Sequence, residues 1–74
     1  MTERKFVITH GCYKNWIATF ETFNETLEYI RNEIGADNVV ENQIQIDELF
    51  DDDYNTFTEF EIYDLLRKMR CEND

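Results

Sequence analysis

The chain has 74 residues, 42% of them apolar and 15% aromatic, with a formal net charge of -10. That length allows one domain, residues 1–74, with a thin core, and so large an aromatic payload argues against disorder despite the charge. The charge argues against direct binding to DNA, RNA or anionic lipid. No apolar run reaches membrane-spanning length, and two cysteines without a leader-like segment read as a cytoplasmic protein with free thiols.

Residues 1–5 form a short polar lead-in. "FVITHGCY" and "WIATF" are β-rich runs that predict an N-terminal hairpin joined near Lys14-Asn15, with Gly11 marking a bulge or a wider loop. "TFNETLEYIRNEIG" predicts a helix. Thr22 and Glu25 form a capping box, Phe23, Leu27, Ile30 and Ile34 share a face, and Gly35 stops it. "ADNVVENQIQIDELF" fits a strand or a helix; the preferred reading is a short third strand over Gln43–Ile46, then a helical turn over Asp47–Phe50. A C-terminal helix is predicted over Glu59–Arg70. Thr58 and Glu61 cap it, Phe57 and Ile62 form a hydrophobic staple, and Ile62, Leu65, Leu66 and Met69 face inward. "TFNE" and "TFTE" read as two helix starts that use the same capping chemistry, not as a duplicated module. The fold class is therefore α+β.

The charge is unevenly placed. Residues 1–37 carry four bases and six acids, whereas residues 38–74 carry three bases and eleven acids. The run Asp47–Asp64 holds eight carboxylates and no Lys or Arg. On helical geometry Asp47/Asp51, Glu48/Asp52 and Glu61/Asp64 would be near neighbours, roughly 5–6 Å apart at Cβ. That is in the range of phosphate separations along a nucleic-acid strand. Phe50, Phe57 and Phe60 read as core, while Tyr54 and Tyr63 read as exposed contacts.

Residues able to do covalent chemistry are scarce. There is no serine and one histidine. His10 and Cys12 could pair as base and thiol, but no orienting acid or oxyanion loop accompanies them, so they read as a polar hairpin position and a half-buried thiol. His10, Cys12 and Cys71 lack the two-sided ligand pairing of a zinc site. A calcium loop starting at Asp51 would place Asp53, Asn55 and Glu59 correctly, but Thr56 stands where the turn needs glycine and Ile62 where the bidentate glutamate belongs. No enzyme activity, metal or cofactor is expected.

A single small domain, strongly acidic, aromatic-rich and without catalytic equipment, resembles the phage-encoded inhibitors of host defence, the anti-CRISPR and anti-restriction DNA mimics. The resemblance lies in overall character and rests on no family motif. It implies stoichiometric inhibition in a host-cell cytoplasm, with the acidic face occupying a partner enzyme's basic nucleic-acid-binding groove. The contact residues expected from the acid run are Asp47, Glu48, Asp51, Asp52, Asp53, Glu59, Glu61 and Asp64, with Tyr54 and Tyr63 beside them. Two other classes stay open. One is a degenerate EF-hand-like calcium module using Asp51, Asp53, Asn55 and Glu59. The other is an oligomeric structural or regulatory protein, such as a homodimer, whose acids only solvate it.

Overall fold

Two hairpins and three helices arise from a simple pattern: strands with apolar residues on one face, and helices with apolar residues on one stripe. A computed structural model describes residues 4–50 and 53–72, with side chains as far as Met69. In chain order the elements are β1 (Arg4–His10), β2 (Asn15–Phe20), α1 (Phe23–Tyr29), α2 (Ala36–Glu41), β3 (Gln45–Phe50), β4 (Asp53–Phe57) and α3 (Glu59–Glu72). The strands form one antiparallel sheet in the order β2-β1-β3-β4. The chain thus runs hairpin then helix twice, and the two similar tetrapeptides each begin the helical part of a half.

The expected α+β class and the N-terminal hairpin are present. The hairpin turn spans Gly11–Lys14, and both ends of it have positive φ, +77° at Gly11 and +53° at Lys14. Gly11 opens this four-residue loop, the wider-loop alternative, and the bulge lies elsewhere. It falls between Ile8 and Thr9 of β1, where Ile8 pairs with Ala18 but Thr9 pairs with Trp16, leaving Ile17 as the extra residue of a bulge. Ile17 then packs against the core while Trp16 turns outward.

The first helix starts as its sequence predicts. Thr22 Oγ1 accepts from the Glu25 amide at 3.2 Å and donates to the Glu25 carboxylate at 2.9 Å. After Tyr29 the helix widens into a π-helical turn, Ile30–Ile34, closed by Gly35 N–H donating to Ile30 O at 2.7 Å. Gly35 has φ +92°, a conformation that side-chain-bearing residues rarely adopt, so the helix ends there.

Residues 36–50 correct the preferred reading. The segment begins with the short helix α2, and the third strand runs over Gln45–Phe50, not Gln43–Ile46. Asp47–Phe50 is strand, not a helical turn, because Ile46, Glu48 and Phe50 alternate with Gln45, Asp47 and Leu49 in register with β1. A fourth strand, Asp53–Phe57, lies where a metal loop had been one reading.

The core is one cluster of Phe6, Ile8, Leu27, Ile30, Val39, Ile44, Ile46, Ile62 and Leu66, between the sheet and the helices. Burying an aliphatic side chain of this kind contributes about 1.5–3 kcal/mol. Phe23 links β1 to β4, with its ring 5.5 Å from Phe6 and 4.9 Å from Phe57. Phe60, expected in the core, is 66% exposed on α3. Because α3 turns its Ile62–Leu66 stripe inward, Phe60 falls on the outer side. The helices pack on the sheet face that carries Phe6, Ile8 and Ile46, and among the described residues no element covers the other face.

Candidate functional site

Asp47 and Glu48 are consecutive in a strand, so they point to opposite faces and cannot form the helical acid row expected of them. Each has a basic neighbour from the first hairpin. Asp47, on the open face, accepts from Lys14 Nζ at 3.2 Å and from Thr56 Oγ1 at 2.9 Å. Glu48, on the helix side, pairs with Arg4 Nε at 3.5 Å. Arg4 also stacks over Phe50, 5.3 Å from the ring centre. The first hairpin, residues 4–20, has three bases and no acid, and the second, residues 45–57, has five acids and no base. The acid run is therefore partly the electrostatic complement of the strand beside it.

Most of the remaining expected contacts also have local partners. Glu61 closes the α3 capping box, accepting from Thr58 N–H and Oγ1, each at 3.1 Å. Glu59 accepts from Gln45 Nε2 at 3.3 Å. Asp64 pairs with Lys68 at 3.5 Å, one helical turn on. Tyr63 is half-buried, with the Arg67 guanidinium 5.7 Å over its ring. Asp53 and Tyr54 are exposed on the edge strand β4, as the outward contact role of Tyr54 requires. Asp51 and Asp52 lie outside the described residues. The structure thus leaves Asp53 and Tyr54 exposed on one edge strand, where as consecutive residues they point to opposite faces, and disperses the others.

Asp53 and Asn55 belong to a strand paired with β3, and Glu59 opens a helix, so they do not wrap a common point as calcium-loop ligands do. Among the described residues, no three His, Cys, Asp or Glu side chains are gathered closely enough to hold a metal ion. His10 ends β1 and Cys12 lies exposed in the turn, so the thiol is not half-buried and the two do not share a strand.

The acid surface that sequence reading passed over is on the helical layer. Residues 21–41 carry six acids and one base, Arg31. Glu21, Glu25, Glu28, Glu33, Asp37 and Glu41 are all exposed. Apart from Glu25 in its capping box, none has a hydrogen-bond or ion-pair partner among the described residues. Glu25/Glu28 are three apart and Asp37/Glu41 four apart on true helices, so each pair stands roughly 5–6 Å apart at Cβ. Counting acids by predicted element, instead of by contiguous run, would have found them.

Among the described residues, no helix is long and apolar enough to cross a membrane. Comparison with protein-family models, with curated proteins and with solved structures finds no match.

Proposed function

We propose that this chain is a small acidic interaction protein that inhibits a partner enzyme by occupying its basic nucleic-acid-binding groove, as a DNA mimic of the anti-CRISPR or anti-restriction kind does, in a host-cell cytoplasm. The observation that carries this reading is the exposed carboxylate set on the helical layer, where six acids face solvent with Arg31 as the one base in the same segment. Like charges held three or four residues apart on a helix destabilise the isolated domain by about 0.2–0.5 kcal/mol per pair. A basic groove removes that cost and gains attraction.

The binding surface therefore moves from Asp47–Asp64 to the helical layer, extended by Asp53 at the β4 edge, while Tyr54 points to the other face of the sheet. Asp47 and Glu48 act inside the fold. No covalent step is involved; inhibition is stoichiometric and sensitive to salt, because exposed charges are screened over about 8 Å at physiological ionic strength.

The test is capture from a host lysate at low salt, followed by elution with salt and competition with duplex DNA. The expected result is one nucleic-acid-binding enzyme that releases the chain when DNA is added. A captured protein that binds DNA and the chain together would contradict mimicry.

A further inference from the structure

The open face of the sheet is chemically unlike the helical layer. Register and alternation place Lys5, Val7 and Thr9 of β1, Asp47 and Leu49 of β3, and Tyr54 and Thr56 of β4 on it. The β2 bulge adds Trp16 and Thr19, whose side chains are joined by a 2.8 Å hydrogen bond from Trp16 Nε1 to Thr19 Oγ1. Trp16, Leu49 and Tyr54, three of the five exposed large apolar residues among those described, lie here. Among the described residues its charges nearly cancel: Asp47 is paired with Lys14, and Lys5 is the remaining base.

The registers also fix where the aromatics stand. Trp16 pairs with Thr9, and Thr9 with Gln45, so Trp16 marks one end of the outer strand β2. Tyr54 pairs with Leu49, and Leu49 with Lys5, so Tyr54 marks the other end on the opposite outer strand β4. Three strand spacings separate them in one direction, about 14 Å, and the four residues from Lys5 to Thr9 in the other, about 13 Å. The patch is close to square, with Trp16 and Tyr54 at opposite corners. A two-fold axis along the other diagonal crosses the two sheets at near right angles, one of the two standard sheet packings. It lays each Trp16 over the Tyr54 of the second molecule, in the reciprocal manner of an isologous contact.

We propose that two copies of this chain associate through these open sheet faces in orthogonal packing, with Trp16 of each copy seated on Tyr54 of the other. Charge selects this occupant. A molecule with net charge -10 repels its own kind and nucleic acid through its helical layer. Stacked sheets stand about 10 Å apart, and the helical layers lie outside them, beyond the screening length of about 8 Å. The nearly neutral face is thus the one across which two copies approach without bringing their acids together. Its planar footprint is about 400 Å² per copy, from four strand spacings and about six residues of strand, roughly half the standard interface side. The dimer is accordingly weak and reversible. It leaves the acidic helical layer facing solvent, so it is independent of the inhibitory role proposed for that layer.

Trp16 is the single tryptophan of the chain and reports on this contact directly. Sedimentation velocity and Trp16 emission are followed on the full chain from low to several hundred micromolar. The expected result is a monomer–dimer equilibrium with a blue shift that tracks the dimer and is unchanged or strengthened by added salt. Trp16→Ala and Tyr54→Glu each raise the dissociation constant about tenfold or more, as loss of an aromatic anchor does. Tyr54→Glu keeps the reporter and decides the matter if Trp16→Ala does not fold. A monomer at every concentration, a dimer indifferent to both variants, or one dispersed by salt would overturn the proposal. So would quenching of Trp16 by oligo-dT on the monomer, which would reassign the face to single-stranded nucleic acid.

Discussion

The helical layer and the open sheet face are built from the same strands and helices yet carry opposite chemistry. The helices expose carboxylates with few bases among them; the sheet exposes Trp16, Leu49 and Tyr54 around a neutralised Lys14–Asp47 pair. The difference arises from where bases are available. The first hairpin, with Arg4, Lys5 and Lys14 and no acid, lies beside β3 and pairs off Asp47 and Glu48. The helices from Phe23 to Glu41 have only Arg31 to offset their acids. An acidic composition thus resolves into one surface where charge is used up by folding and one where it stays exposed to solvent.

Several substitutions break or sharpen this contrast. Ile46→Ala, at a fully buried position in the inner strand shared by both faces, is expected to cost about 2–5 kcal/mol and to abolish both proposed interactions in a domain this small; urea unfolding measures it. On the helical layer alone, Glu28→Gln, Asp37→Asn and Glu41→Gln together are expected to lose partner binding and its salt dependence while leaving the unfolding midpoint unchanged or slightly raised, since they relieve repulsion. Thr22→Ala removes the Glu25 cap under that layer and is expected to cost about 1 kcal/mol, read by thermal unfolding, with partner affinity little changed. On the sheet side, Asp47→Asn loses the charge contact with Lys14, whose side chain is 46% exposed, so screening keeps the cost to about 0.5–1 kcal/mol. The smallest effect is expected at Asp64→Asn, about 0.3 kcal/mol for an exposed pair one helical turn apart, checked by the same unfolding curve.

The helices with capping boxes were legible because their signals are local: Thr22 with Glu25, and Thr58 with Glu61, act within four residues, and Gly35 stops the first helix by its own backbone. The N-terminal hairpin was legible from β-branched and aromatic runs. Strand β4 was not, because Asp53 and Asn55 have low strand propensity and are held by pairing with β3. The roles of Asp47 and Glu48 depended on that pairing too: read as helix they form an acid row, and as strand they separate to two faces, each beside a base more than thirty positions away or across the sheet. Phe60 and Tyr63 exchanged places for a similar reason, since the stripe that α3 buries is set by its docking on the sheet.

The division of labour between the two faces is tested most directly by one comparative capture at low salt. Wild type, the Glu28→Gln/Asp37→Asn/Glu41→Gln variant and Trp16→Ala are immobilised in turn and challenged with the same host lysate, then with duplex DNA. Wild type and Trp16→Ala are expected to hold a nucleic-acid-binding enzyme that duplex DNA displaces, and the helical-layer variant to hold none. Retention of that enzyme by the helical-layer variant, or its loss with Trp16→Ala alone, would contradict this division of labour.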